Sequence, residues 1–238
     1  MKKCVFLFLI PIFLLCSVKS PSAGFFDDLL KQVSGSKENE EDTLVSGLKE
    51  ALNIGTKNAV KAVSEEDGYF GNLDIKIPVP RKLEKAESVL REIGLGKQVD
   101  EFILSMNRAA EGAAPQAVDI FVGAIRNMTV VDAYGIVKGE ETSGTEYFRE
   151  KTADDLTGLF RPAITETMER VGVVKSYKKM IDMYNSLPVV KKVDVDLEGY
   201  VTQEALDGLF FMVGEEEKKI RTDPAARVTE LLREVFGK

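Results

Sequence analysis

One carboxylate stands where helical spacing makes a charge costly. At about 3.6 residues per turn, Glu217 falls within an apolar stripe made of Leu206, Leu209, Phe210, Val213 and Ile220. A carboxylate on such a stripe must reach a base or hydrogen-bond donors, or else bind a proton. Glu217 therefore marks the emergence of the stripe into water, a structural ion pair, or a polar pocket that recognises an anionic or polar ligand. We favour the two structural interpretations.

Charged and amide side chains elsewhere in the chain are candidates to complete such a pocket. The candidate ligand-binding residues are Glu217, Arg221, Arg227, Asn107, Arg108, Glu111, Arg149 and Arg161. We expect Asn107, Arg108 and Glu111 to lie beside the apolar face of their helix rather than on it. The alternative function is a carboxylate-based enzyme, in which Glu217 and Glu111 perform acid–base chemistry beside these arginines.

A second pattern is similar to the start of a calcium-binding loop. Oxygen-bearing side chains occupy its first, third and fifth positions, which are Asp194, Asp196 and Glu198. The twelfth position, where a bidentate Glu is expected, is Ala205, and no helix is predicted to enter the loop. We therefore expect no metal, and predict a strand followed by a helix that Thr202 caps. A weak calcium site is the less favoured alternative.

Composition excludes several classes of catalytic and binding site. The chain has no His and no Trp, and its two cysteines, Cys4 and Cys16, both lie in the leader described next. Catalytic triads need an imidazole, and structural zinc sites need Cys or His. Lys and Arg total 32 against 39 Asp and Glu, a net charge of −7, which disfavours binding to nucleic acid. We expect no cofactor.

The first residues have the layout of a secretory signal. Two lysines after Met1 precede an apolar run, residues 5–15, and small or polar residues follow to Gly24. The run is shorter than the roughly 20 residues that a spanning helix needs. We predict a signal peptide over residues 1–24, with cleavage after Ser20 or Gly24. A lipid anchor on Cys16 is less favoured, because leucines precede it where a small residue is expected.

The remaining pattern predicts an all-α protein. Residues 25–42 are expected to form a short amphipathic helix and a polar linker. Residues 43–238 are expected to form a single bundle-like helical domain. After the leader, no second apolar run is long enough to span a membrane. We also expect an interruption near Thr152 in the helix over 145–171. At most one short two-stranded ribbon is predicted, between residues 75–79 and 193–197, where apolar and polar residues alternate.

A set of motifs in the mature chain is similar to one bacterial envelope family. In chain order they are LSMNRAAE at 104–111, YFR at 147–149, FRP at 160–162, YN at 184–185, YVT at 200–202, ALDGLF at 205–210, EEEKKIR at 215–221 and DPAAR at 223–227. The chain resembles the family called domain of unknown function 4197 over essentially its whole length from about Thr43. The resemblance implies an exported, mostly helical protein found chiefly in Gram-negative bacteria, and it implies no activity.

These observations together favour an exported periplasmic protein that binds or scaffolds and is not an enzyme. Its partner is expected to be a small polar ligand or another envelope protein. The sequence leaves the ligand and the oligomeric state open.

Overall fold

The computed structural model describes residues 23–187 and 195–227, together with residues 229, 230 and 233; side-chain surroundings are described from Asp42 onwards. The chain divides into two compact units, Met1–Glu41 and Asp42–Lys238. The helices are α1 (Ala23–Ser64), α2 (Glu84–Glu92), α3 (Gly96–Ala113), α4 (Ala117–Asn127), α5 (Val130–Lys138), α6 (Ser143–Val171), α7 (Val173–Asn185) and α8 (Leu197–Thr222). None of the described residues lies in a strand, and the all-α fold class is confirmed.

The core is built around α6. Helices α3 and α8 both pack against α6, while α4 also lies on α6 and α7 lies on α3. Three phenylalanines join these layers: the ring of Phe121 lies 5.2 Å from that of Phe148 and 6.0 Å from that of Phe210, between ring centroids. All three side chains are buried, so they contribute much of the apolar area that holds α4, α6 and α8 together.

The C-terminal half of α1 packs against this core. Its buried side includes Leu48, Leu52, Ala59 and Val63, whose spacing places them on one face of the helix. At Gly55 the helix comes close to α8, because a Cβ there would lie 3.6 Å from the Cβ of Glu216. The polar segment 34–42, predicted to be a linker, is helical and continues α1. This segment has no proline and is rich in Glu, which has a good helix propensity.

Capping residues and glycines determine where several helices begin or end. Thr129 caps α5, in a capping box with Asp132. Gly94, which follows α2, has a φ of +83°, and Gly172 has a φ of +79° between α6 and α7. Both lie in the left-handed region that glycine adopts without steric cost. The sharp α6–α7 corner therefore depends on Gly172.

Two predicted helix boundaries are wrong, for a shared reason. Helix α6 is continuous through Thr152, whose hydroxyl donates to the carbonyl of Phe148 at 2.6 Å. Thr202 does not cap α8; its hydroxyl donates to the carbonyl of Glu198 at 2.6 Å. The cap is Asp196, and the helix begins at Leu197. A threonine can bond to the carbonyl four residues earlier, so it is compatible with a helix interior.

The predicted ribbon does not form in the described part of the chain. Leu197 is helical, and residues 193 and 194 lie outside the described residues. Residues 76–80 are irregular, as their prolines require, but they are not paired with a strand. Among the described residues no single helix is long and apolar enough to cross a membrane, although the bent combination of Gly96–Asn127 with Val130–Lys138 meets the requirement of length and composition.

Candidate functional site

Glu217 lies inside the body and caps the start of α6. It is 7% exposed. One carboxylate oxygen accepts from the backbone N–H of Gly144 at 2.9 Å. The other accepts from the backbone N–H of Thr145 at 2.8 Å and from its hydroxyl at 2.9 Å. The carboxylate therefore satisfies N–H groups that have no partner within α6, and its charge lies at the positive end of that helix.

Arg221 completes this arrangement one turn along α8. Its Nε and Nη2 atoms donate to Oε1 of Glu217 at 3.1 and 2.9 Å, and Nη2 also donates to the carbonyl of Ile136 at 2.8 Å. The two side chains are 6% and 13% exposed, so this is a largely buried ion pair that links α5, α6 and α8. The structural ion pair favoured from the sequence is present, and both carboxylate oxygens of Glu217 accept hydrogen bonds.

Arg227 does not join this pair. Its guanidinium donates from Nε to the carbonyl of Ile220 at 3.0 Å and from Nη2 to that of Arg221 at 2.7 Å. These carbonyls belong to the last turn of α8, where no further helical N–H reaches them. Arg227 therefore closes the end of α8.

A second network surrounds Glu111 of α3. Glu111 is 5% exposed. Its Oε1 accepts from the backbone N–H groups of Tyr69 and Phe70 at 3.1 and 3.2 Å, and its Oε2 accepts from Arg108 at 2.6 Å. Arg108 also binds Asp67 at 2.7 Å, and the hydrogen bond that Arg108 donates to Glu111 is the largest cause of the raised pKa of Arg108. The network fixes the turn in which Asp67 has a φ of +64°.

Asn107 lies in the core and not beside the apolar face, so the predicted placement is wrong. It is fully buried. Its Oδ1 accepts from the N–H of Ile77 at 2.9 Å, while its Nδ2 donates to the carbonyl of Ile77 at 2.9 Å and to that of Ile103 at 2.8 Å. The amide thus pairs with Ile77 much as a neighbouring strand would, and it takes the place of the predicted ribbon partner.

The two remaining candidates lie on the surface. Arg149 binds Asp207 at 2.7 Å, and its guanidinium lies 4.6 Å from the centre of the Phe210 ring. Arg161 binds Asp196 at 3.4 Å. The eight predicted residues therefore fall into separate groups. Glu217 pairs with Arg221, and Glu111 pairs with Arg108. Asn107 bonds to Ile77, Arg227 closes the end of α8, and Arg149 and Arg161 form the two surface pairs. Within the described part of the chain they do not converge on one pocket.

The predicted calcium alternative gains no support. Asp196 uses Oδ1 to accept from the N–H of Gly199 at 2.9 Å, as the cap of α8, and Glu198 is in the first turn of that helix. Asp194 lies outside the described residues. Within the described ranges no group of three or more Asp, Glu, Cys or His side chains is arranged to hold a metal ion.

A cleft that the sequence did not predict lies where the segment before α2 approaches the start of α8. Its volume is about 700 Å³. We call it the Tyr200 cleft, and its lining residues are Pro78, Val79, Pro80, Arg81, Lys82, Glu84, Glu87, Val195, Asp196, Tyr200 and Glu204. This volume lies within the range of small-molecule sites. The apolar wall comes from the Pro-Val-Pro segment, and the polar groups come mainly from α2 and α8.

Tyr200 and Glu204 stand one helical turn apart in this cleft. The Tyr200 hydroxyl donates to the carbonyl of Pro78 at 3.1 Å, and burial, followed by the charges of Glu204 and Glu84, raises its pKa well above the usual range. Burial also raises the pKa of Glu204, with Asp207 adding to the shift and Arg81 opposing it. No described residue donates a hydrogen bond to the Glu204 carboxylate, which is half-buried.

Comparison with known protein families then places the chain. Residues 38–237 match the family described as "Protein of unknown function (DUF4197)". The chain belongs to this family. No curated protein and no solved structure matches it.

The family region contains both polar networks and the Tyr200 cleft. The carboxylates of Glu111 and Glu217 are saturated with hydrogen bonds from the protein itself, which leaves them little capacity to exchange protons with a substrate. Glu204 differs, because it lines a cleft and its carboxylate has no donor among the described residues. The arrangement is therefore suited to accepting hydrogen bonds from a bound molecule. Three sequence signals touched this cleft: the YVT motif at 200–202, the predicted ribbon, whose two segments contribute Pro78, Val79, Val195 and Asp196, and the calcium-like pattern, which includes Asp196.

Proposed function

We propose that this protein is an exported, non-enzymatic binding protein of the bacterial envelope, and that the Tyr200 cleft holds its ligand. The observation that carries the proposal is Glu204, a half-buried carboxylate in a cleft of ligand size that receives no hydrogen bond from the described residues. Burial disfavours the charged form of Glu204, and a ligand that donates hydrogen bonds to its carboxylate would stabilise that form.

The lining of the cleft supports a small polar ligand with an apolar portion. Pro78, Val79 and Pro80 offer apolar surface, while Tyr200 and Glu204 offer oxygen atoms that accept hydrogen bonds. Arg81 and Lys82 add positive charge at the same cleft, opposite in sign to Glu84 and Glu204. Glu87 and Asp196 also line the cleft, so carboxylates outnumber cations there, and a ligand rich in hydrogen-bond donors is the best match.

The surroundings of Glu217 and Glu111 argue against the alternative function, a periplasmic enzyme based on Glu217. Glu217 accepts three hydrogen bonds from the start of α6 and two from Arg221. Glu111 shares none of these partners, since it binds the turn at Tyr69 and Phe70. An acid–base pair needs two carboxylates that face one substrate.

Export is supported by the leader. A basic start, an apolar run over residues 5–15 and small residues up to Gly24 match a secretory signal. The family resemblance stated above adds the periplasm of Gram-negative bacteria as the expected location.

The test is native mass spectrometry of the protein purified from its own cell envelope. We expect a bound small molecule in the wild type and in Glu169→Gln, a change on the exposed face of α6, and its loss in Glu204→Gln. A bare polypeptide mass in the wild type would refute ligand binding, and retention in Glu204→Gln would refute the cleft as the site. Turnover of a hydrolase substrate that Glu217→Gln abolishes, with the helical circular dichroism spectrum unchanged, would establish the alternative.

A further inference from the structure

A second cleft, between α1 and α4, gathers positive charge in an acidic protein. Lys49, Asn53 and Lys57 lie four residues apart on α1, so they share one face of that helix. Arg126, in the last turn of α4, lines the same cleft, which has a volume of about 420 Å³. We call it the Lys49 cleft. It has no residue in common with the Tyr200 cleft.

The cations of this cleft are not used by the fold. Lys49, Lys57 and Arg126 form no ion pair with any described residue, in contrast to Arg91, Arg108 and Arg221, which bind carboxylates. Glu50 is the one acid in the lining, so the lining carries 3 − 1 = +2 charges. The whole chain carries −7. Like charges held together without counterions repel each other, and a bound anion would relieve that repulsion.

The remaining lining residues favour an anion that has several oxygen atoms. The side-chain amide of Asn53 makes no hydrogen bond within the described part of the chain, so its N–H groups are available as donors. Val122 and Ile125 form an apolar floor, which reduces the screening of charges above it. A guanidinium binds two oxygens of a phosphate in a fork, and lysines add point charges around the others.

We propose that the Lys49 cleft binds a phosphate group, from either a soluble phosphate ester or a phospholipid head group. Three cations and an amide donor match the charge and the oxygen count of phosphate. The site is independent of the proposed ligand of the Tyr200 cleft, so either can exist without the other.

The experiment measures binding of two probes to the full chain at low ionic strength. Inorganic phosphate is titrated and followed by phosphorus NMR. Separately, flotation is measured with phosphatidylcholine vesicles, with and without phosphatidylglycerol. The variants are Lys49→Gln, Arg126→Gln and Arg126→Lys, and the control is Lys85→Gln, an exposed lysine of α2 that has no ion pair within the described residues. Circular dichroism confirms that each variant retains its helices.

We expect saturable binding that weakens about fivefold for each charge removed, weakens further with added salt and is unchanged in Lys85→Gln. Arg126→Lys should weaken it less than Arg126→Gln. Binding of free phosphate would assign a soluble ligand, and binding only to vesicles with phosphatidylglycerol would assign a lipid head group. The proposal is overturned if neither probe binds saturably, or if Lys85→Gln weakens binding as much as Arg126→Gln.

Discussion

Replacing Glu217 by Gln tests whether this carboxylate is structural. Gln keeps the length of the side chain but removes its charge and turns one acceptor into a donor. In the protein, that atom would replace either Oε1, which accepts from the Gly144 N–H and from Arg221, or Oε2, which accepts from the N–H and the hydroxyl of Thr145. One donor would meet another donor, and Arg221 would lose its counterion.

The expected loss follows from the burial of the pair. The side chains of Glu217 and Arg221 are 6% and 13% exposed, and breaking a buried ion pair from one side costs about 3–5 kcal/mol. Arg221 keeps its hydrogen bond to the carbonyl of Ile136, so we expect the lower end, about 3 kcal/mol. For a chain of this size that corresponds to a fall in melting temperature of about 6–12 °C.

The assay is urea unfolding followed by circular dichroism at neutral pH. The matched control is Glu215→Gln on the same helix, because Glu215 and its partner Lys218 are 38% and 41% exposed. An exposed pair of this kind contributes about 0.5 kcal/mol. Both variants remove one negative charge from α8. The difference between their losses of unfolding free energy therefore measures what the burial of Glu217 and its capping of α6 contribute.

A loss below about 1 kcal/mol in Glu217→Gln, or an increase in stability, would refute this reasoning. An increase would be informative, because replacing a residue selected for chemistry often stabilises a protein. It would return the carboxylate-based enzyme to consideration.

Three further predictions concern other sites. Asn107→Ala should lower the free energy of unfolding by about 2–4 kcal/mol in urea titrations, because the backbone N–H and the carbonyl of Ile77 both lose the side-chain amide that pairs with them. A loss below about 1 kcal/mol would contradict this pairing role. The pKa of Glu204 is raised in the folded state, so its ionisation destabilises the protein as pH rises above the ordinary value of 4.5. Glu204→Gln should therefore be more stable than wild type at neutral pH and equally stable in acid; the same difference at both pH values would contradict the raised pKa. The protein from the envelope fraction should begin at Pro21 or Phe25 by intact mass, whereas retention of Met1 would contradict cleavage.

Helix ends that depend on neighbouring residues can be predicted from the sequence. At the start of α5, Thr129 bonds with Asp132, which is three residues away. At the end of α2, Gly94 adopts the left-handed conformation. Both signals act within one turn of the helix that they bound. The threonines at 152 and 202 were misread because the same hydroxyl can cap a helix or bond within it. Only the surrounding backbone decides between these two uses.

The polar core was harder to predict, because its partners are far apart in the sequence. Asn107 pairs with a backbone 30 residues away, and Glu217 pairs with backbone groups 72 and 73 residues away. Apolar periodicity identifies the position of Glu217 as unusual but does not say which N–H groups meet it. The Tyr200 cleft depends similarly on two segments, near residues 80 and 200, that only the tertiary fold brings together.

The central claim is that the protein acts by binding a ligand in the Tyr200 cleft. It is tested most directly by comparing native masses of wild type, Glu204→Gln and Glu169→Gln, each isolated from its own cell envelope. We expect one discrete added mass in the wild type and in Glu169→Gln, and its absence in Glu204→Gln. The same added mass in all three proteins, or none in any, would contradict it.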